Sequence, residues 1–304
     1  MGKAREHMPA LLLAVVAVIW GGGFIWTQVA LDYGFSPGLI LACRFAVASA
    51  VFLVFCRKKI FPISKDELKR GAALGLLLFL GFYVQTTGLR FTTPSNNGFF
   101  TAVNVIIVPL IAWRLNRRSP PAKLWGCCAI ALSGFFILSW RPGTGFSVNS
   151  GDMLTLLSAF FFACHIAGLG VLSKTMNPLK ATFIQMSTAG VLSLGGMLIF
   201  EGGALSRADF AAGGVSVILL GLLSTCFCFF IQTWAQARTG PGKAALIMAG
   251  ESLWCMIFSV MAGYEILTLR MAGGGLLVVG ATVLLELEPP RSPVKSLAES
   301  EETV

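Results

Sequence analysis

Charged residues are scarce in this sequence. They make up 12% of its 304 residues, while hydrophobic residues make up 56%; soluble domains usually contain about 25% charged residues. The mean hydropathy is +0.79, and the apolar residues come in long blocks separated by short polar connections. These values exclude a soluble globular domain. Because blocks of at least ~18 apolar residues are typical of helices that cross a bilayer, we expect an all-α integral membrane protein.

The groups that carry enzymatic or metal chemistry are also few. The chain has two histidines, and its eight cysteines include no C-x-x-C pair, so the spacing of a zinc site is missing. No H-E-x-x-H or G-x-x-x-x-G-K-[ST] motif occurs. The G-x-S-x-G match at Gly34–Gly38 lies between two apolar helical blocks, whereas a nucleophile elbow requires a turn from a strand into a helix. We therefore expect no catalytic residues, no cofactor, no metal and no ATP-binding site in this chain. The cysteines are interpreted as small, reduced packing residues.

The apolar blocks number ten, and each is predicted to be a membrane-spanning helix. The predicted spans are 9–31, 38–56, 71–89, 95–113, 123–140, 152–173, 178–200, 213–235, 243–263 and 267–287. The remaining tail, 288–304, is polar and contains prolines, and we expect it to be disordered.

The basic residues lie mainly in alternate connections between the spans. If the N-terminus is inside, the inner connections and termini carry 18 Lys and Arg residues and the outer connections carry four. Because Lys and Arg are enriched in cytoplasmic loops, both termini are predicted to be cytosolic in a protein of the cytoplasmic membrane. This distribution also explains the net charge of +9 without a nucleic-acid partner.

A stretch of 28 residues occurs twice, as 82–109 and as 229–256, at a constant offset of 147. Gln85 corresponds to Gln232, and Pro94 corresponds to Pro241. Each copy is two apolar runs joined by a short Thr/Gly/Pro turn, which predicts a helical hairpin. A repeat of this length indicates that the chain consists of two related halves.

The two predicted halves are 9–140 and 152–287, with five spans in each. Because five is an odd number, the second half must enter the membrane inverted relative to the first. Inverted repeats supply two similar but opposed arrangements, which is the usual structural basis of alternating access in secondary transporters.

Three motifs resemble those of the EamA-type branch of the drug/metabolite transporter superfamily. They are AVVAVIWGGGF in the first span, P-x(6)-RF from Pro37 to Phe45, and G-L-x-x-T-x-P from Gly88. The resemblance covers essentially the whole chain. It implies ten helices in two inverted five-helix repeats, a central cavity lined largely by the third, fourth, eighth and ninth spans, and small metabolites as cargo. We expect a monomer or a homodimer in the lipid bilayer.

Glu251 is the strongest candidate for a functional ionisable group. It lies about nine residues into the ninth span, or ~13 Å along the helix, near the centre of a hydrocarbon core that is ~30 Å thick. An ionisable side chain at that depth is costly and is usually functional. We interpret Glu251 as a proton-coupling group or a site for a cationic group. The alternative is a structural partner for a nearby Arg, hydroxyl or backbone group.

Two further ionisable residues lie inside predicted spans. His165 lies deep in the sixth span, where a role in proton coupling competes with hydrogen-bonded packing among phenylalanines. Arg44 lies in the second span, and its long side chain can extend to the interface or cap a neighbouring helix. An anion contact is its alternative role.

The fourth span carries polar residues on one face, at Asn97, Thr101 and Asn104. Such a face either bonds neighbouring helices or lines a wet cavity, and the repeat favours the cavity. Other predicted substrate-binding residues are the amides and aromatic groups at Gln85, Gln232, Trp20, Tyr83 and Trp254.

The sequence favours a secondary transporter, an exporter of small metabolites or drug-like compounds, with a proton gradient as a candidate driving force. An intramembrane enzyme is a second hypothesis, but it requires a nucleophile–base pair or a metal cluster. A channel or signalling subunit is a third, and it would not require an inverted repeat.

Overall fold

A computed structural model describes residues 2–140, 148–172 and 175–286 of the chain. All regular secondary structure in these residues is helical. The α-helices are α1 (Gly2–Asp32), α2 (Pro37–Ile60), α3 (Lys65–Leu89), α4 (Pro94–Ala102), α5 (Asn104–Asn116), α6 (Ala122–Ser139), α7 (Ser150–Leu172), α8 (Pro178–Phe200), α9 (Ala204–Arg207), α10 (Phe210–Leu219), α11 (Cys228–Thr239), α12 (Pro241–Met248), α13 (Glu251–Met261) and α14 (Leu269–Glu286). A π-helical segment, Leu220–Phe227, joins α10 to α11.

These helices form ten apolar segments that correspond to the ten predicted spans. Eight segments in the described residues are long and apolar enough to cross a membrane. Two of the ten are shorter apolar helices, Ala122–Ile137 and Leu269–Leu285. Three segments are composite, since α4 continues into α5, α10 continues into α11 and α12 continues into α13. The predicted tail 288–304 lies outside the described residues.

Prolines mark the starts of several helices. Pro lacks an N–H and has a fixed φ, both of which suit the first turn of a helix. The helices α2, α4 and α8 each begin with a proline, preceded by a polar residue whose side chain accepts a hydrogen bond from a backbone N–H of the first turn. The capping residues are Ser36, Thr93 and Asn177.

The packing of the helices shows the two-fold relation between the halves. The pairs α2–α8 and α6–α14 each bring together equivalent helices of the two halves. Helix α3 packs on α7, and its counterpart is the packing of α10–α11 on α1. The segment α4–α5 packs on α7, just as α12–α13 packs on α1. This exchange of partners is expected from the inverted repeat and confirms the predicted architecture.

The fourth and ninth spans are both interrupted, at equivalent positions. The first break lies at Val103 and the second at Ala249 and Gly250, and Val103 and Gly250 are separated by the repeat offset of 147. At both breaks the backbone makes i to i+3 hydrogen bonds, such as Ile106 N to Val103 O at 3.2 Å. No proline lies at either break. The second half of each span therefore starts a new helix in the middle of the bundle.

Candidate functional site

A cavity lies at the centre of the bundle, between the two halves. Its volume is about 60 Å³, which is enough to admit water. The cavity is thus narrow in this conformation. Its lining includes nine of the eleven predicted site residues: Trp20, Arg44, Gln85, Asn97, Thr101, Asn104, His165, Gln232 and Glu251.

The helix breaks place Asn104 and Glu251 at equivalent positions on the cavity wall. Asn104 is the first residue of α5, and Glu251 is the first residue of α13. Each side chain is 7% exposed, and neither makes a hydrogen bond to another residue of the described ranges. A carboxyl group and an amide without hydrogen-bond partners among the described residues therefore line the cavity.

Two amides on the wall belong to hydrogen-bonded groups between helices. Gln85 donates to Thr101 Oγ1 at 2.8 Å, which joins α3 to α4. Asn97 donates to Thr155 Oγ1 at 2.7 Å, which joins α4 to α7. The predicted polar face of the fourth span therefore does both things proposed for it, because it bonds neighbouring helices and lines the cavity.

Arg44 is buried in the bundle and does not extend to the interface. Its side chain is 3% exposed, and its Nε donates to Thr225 Oγ1 at 2.8 Å. A second nitrogen donates to Ser224 Oγ at 3.2 Å. The guanidinium carbon lies 4.3 Å from the centroid of the Phe82 ring, which is a cation–π distance. Arg44 thus links α2 to the π-helical segment of the other half.

His165 lines the cavity but is almost fully buried, at 1% exposure. Its Nε2 lies 2.9 Å from Gln185 Oε1, which connects α7 to α8. The ring also contacts Phe229, with centroids 6.1 Å apart at a steep angle. Hydrogen-bonded packing, the structural alternative stated above, accounts for these contacts.

Tyr83 and Trp254 lie outside the lining of the central cavity. Tyr83 Oη donates to Glu201 Oε1 at 3.2 Å, on another face of α3 from Gln85. Trp254 packs against Phe258, with ring centroids 5.9 Å apart. Trp20 does line the cavity, and its indole N–H donates to the Ser224 carbonyl at 2.9 Å.

Several lining residues were not predicted from the sequence. Phe82 and Phe229 pack edge to face, with ring centroids 5.9 Å apart, and they are separated by the repeat offset of 147. The repeat alone could therefore have indicated this pair. Ser224 and Phe162 also line the cavity. A polar residue in the middle of an apolar block was the available signal for Ser224.

The cavity extends to one end of the bundle only. At the end where Pro94 lies, here called the Pro94 end, the lining reaches Leu89, the last residue of α3. At the opposite Pro241 end the lining stops at Gln232, seven residues before α11 ends at Thr239. Seven residues of helix correspond to about 10 Å.

Hydrogen bonds between helices seal the Pro241 end. Gln236 of α11 donates to the Ile166 carbonyl of α7. Thr182 of α8 lies 3.3 Å from Thr233 of α11, measured between the hydroxyl oxygens. Both residues of α11 are almost fully buried. The described conformation therefore has one closed end.

Within the described ranges, no group of three or more His, Cys, Asp or Glu side chains could hold a metal ion.

Comparison with known proteins gives the family. The sequence matches the EamA-like transporter family twice, over residues 7–140 and 149–286. The chain belongs to the EamA-like transporter family. It is a multi-pass membrane protein with the two-repeat architecture of that family, as the motifs in the first three spans predicted.

The relatives have comparable length. An uncharacterised transporter of Archaeoglobus fulgidus is 32% identical over 279 residues, which cover 90% of this chain and 84% of the relative. The uncharacterised transporter YoaV of Bacillus subtilis is 23% identical over 279 residues, covering 89% and 94%. One solved crystal structure has the same fold, with a TM-score of 0.72 at 16% identity over 91% of this EamA-like chain and 96% of the other.

Proposed function

We propose that this EamA-like protein is a secondary active transporter that exports small organic compounds across the cytoplasmic membrane in exchange for protons. The observation that carries the proposal is the central cavity, which both halves line and which extends to one end of the bundle only. A channel would need a path that reaches both ends. An intramembrane enzyme would need a nucleophile–base pair, and the lining described here supplies none.

The repeat indicates how the opposite state forms. Gln232 and Gln236 lie at the Pro241 end of the cavity, and their equivalents at the offset of 147, Gln85 and Leu89, both line it towards the Pro94 end. If the halves exchange conformations, α3 closes the Pro94 end as α11 now closes the Pro241 end. The cavity then faces the other side of the membrane, which is alternating access by repeat exchange.

Glu251 is proposed to carry the coupled proton. It is the one acidic side chain among the described lining residues, and it has no hydrogen-bond partner in the described protein. Opening at one end and then at the other changes the water around its carboxyl group. Solvation controls whether a carboxyl group is neutral or charged, so each state can hold the proton differently.

Transport in reconstituted vesicles tests the proposed function. We expect purified protein in proteoliposomes to accumulate at least one compound from a panel of small organic amines, acids and neutral metabolites when a pH gradient is imposed. Protein-free liposomes and vesicles without the gradient are the controls. Rapid, non-saturable flux that ignores the gradient would indicate a channel, and chemical conversion of the compound would indicate an enzyme.

The proposed orientation can be tested with a matched pair of serines. Ser206 lies in an exposed position at the Pro94 end, and Ser119 lies in an exposed position at the Pro241 end. In a variant without reactive native cysteines, we expect Ser206→Cys to react with an impermeant thiol reagent added to intact cells. Ser119→Cys should react only after the membrane is permeabilised. The reverse labelling pattern would contradict the predicted cytosolic termini.

A further inference from the structure

Asn97 lines the cavity and has an acceptor oxygen without a described partner. Its Nδ2 donates to the Gln85 carbonyl at 3.2 Å and to Thr155 Oγ1 at 2.7 Å. Because the Gln85 carbonyl can only accept, the nitrogen must face the protein, and the orientation of the amide is fixed. Oδ1 is buried and has no partner among the described residues, and the side chain is 0% exposed.

Gln232 lines the same cavity and has a second acceptor oxygen without a described partner. Gln236 donates its Nε2 to the Ile166 carbonyl, so its own Oε1 must be the atom that accepts from Gln232 Nε2 at 3.4 Å. Gln232 must therefore turn its amide nitrogen towards Gln236, which fixes the orientation of the Gln232 amide. Its Oε1 is left buried without a described partner, and the side chain is 1% exposed.

Gln85 repeats the arrangement in the first half. The Thr101 hydroxyl donates to the Asn97 carbonyl at 2.8 Å, so it accepts from Gln85 Nε2 at 2.8 Å. This leaves Gln85 Oε1 as an acceptor at the cavity. Asn97 thus makes two N–H hydrogen bonds to the protein and Gln85 and Gln232 make one each, while the oxygens of Asn97 and Gln232 are buried without a described partner. A buried acceptor without a donor is costly, which indicates that a ligand or water supplies the donor.

We propose that the cargo of the transporter proposed above is a protonated primary or secondary amine with a compact apolar body. Such a group brings two or three N–H donors and a positive charge to a site with three amide oxygens and the Glu251 carboxyl group. A quaternary ammonium has the charge but no N–H, and an alcohol has a single donor and no charge. The inference rests on the proposed function and specifies the class of its cargo.

The rest of the lining suits the other parts of such a molecule. Phe82, Phe162 and Phe229 form one cluster of rings, with Phe82 lying 4.9 Å from Phe162 and 5.9 Å from Phe229 between centroids. Aromatic faces accept both an apolar body and a cation.

Arg44 brings the one permanent positive charge of the described lining. Its N–H groups are directed to the hydroxyls of Thr225 and Ser224, and its charge lies over Phe82. When the amine takes the place of a proton at Glu251, the total charge in the cavity is unchanged. A monovalent cation is therefore accommodated in spite of Arg44.

Four ligands that share a 2-phenylethyl group and differ in the polar group test the inference. The probes are 2-phenylethylamine, its N,N,N-trimethyl analogue, 2-phenylethanol and 3-phenylpropionate, with binding to purified full-length protein in nanodiscs measured by calorimetry. We expect the primary amine to bind at least about tenfold more tightly than each analogue, since only the amine satisfies the buried acceptors. Equal affinity for the quaternary analogue or the alcohol, or no binding of the amine, would overturn the inference.

A side-chain variant tests the acceptors directly. Gln232→Met keeps the length of the side chain and removes the oxygen, so it should lower the affinity for the amine about tenfold while leaving the affinity for 2-phenylethanol unchanged. Asn116→Leu removes an amide at the Pro241 end, outside the central cavity, and should change neither. Unaltered amine affinity in Gln232→Met would contradict the inference. These binding measurements test only the class of the cargo. The proposed transport would be contradicted separately, if the protein moved no compound of the flux panel.

Discussion

Glu251→Gln is expected to abolish accumulation of cargo driven by a pH gradient. Glutamine keeps the shape of the side chain but cannot bind and release a proton. If one proton is exchanged for one cargo molecule, each pH unit of gradient supports about tenfold accumulation, because ~1.4 kcal/mol corresponds to a factor of ten. In the variant the ratio should fall to about one. Exchange of labelled for unlabelled cargo at equal pH should persist at a reduced rate.

The control for this variant is a second carboxyl group of the same half. Glu265 lies outside the central cavity and accepts hydrogen bonds from Ser259, at 2.7 Å, and from Ser95. Glu265→Gln should retain the response to the gradient. If Glu251→Gln still responds fully to the pH gradient, Glu251 is not the proton carrier, and His165 becomes the next residue to test.

Gly21→Ala is expected to have the second largest effect, although it adds a single carbon. A Cβ at Gly21 would lie 2.5 Å from Trp254 Cβ, 2.8 Å from the Cys255 backbone nitrogen and 2.9 Å from the Glu251 carbonyl oxygen. These atoms belong to the start of α13 and cannot move without displacing Glu251. Overpacking of this kind costs about 1–3 kcal/mol, so we expect a lower Tm and a loss of roughly tenfold in transport rate.

The neighbouring glycine is a matched control. A Cβ at Gly22 would lie no closer than 3.7 Å to the Phe258 ring, an ordinary contact. Gly22→Ala should therefore leave both Tm and transport close to those of the unaltered protein. If Gly21→Ala transports normally at an unchanged Tm, the close approach of α1 and α13 does not hold Glu251 in place.

The membrane class and the architecture could be predicted from sequence because they depend on long, regular patterns. The ten apolar blocks could be identified because each is long enough to cross the hydrocarbon core. The offset of 147 aligned Gln85 with Gln232, and an odd number of spans in each half required the inversion. The same offset paired Asn104 with Glu251, which both proved to line the cavity.

The rotation of each helix was not encoded in such a pattern. Successive residues of an α-helix are about 100° apart, so Tyr83 points about 160° away from Gln85. The sequence showed both as polar groups at one level of the membrane, and packing turned only Gln85 to the cavity.

The direction of the Arg44 side chain could not be predicted from the sequence either. Its position in the second span allowed it to extend to the interface or into the bundle. The choice depended on the Thr225 and Ser224 hydroxyls and the Phe82 ring, which come from distant parts of the chain.

The sequence by itself determined that this protein is a ten-helix, two-repeat membrane transporter with amides and one deep carboxyl group in its hairpins. Only the tertiary structure decided that the fourth and ninth spans break at Val103 and Gly250, so that Asn104 and Glu251 each begin a new helix. No proline marks these positions, and the i to i+3 bonds there are a small local change. Such a change is selected by contacts between helices, as at Gly21 and α13, and these contacts exist only once the two halves have packed together.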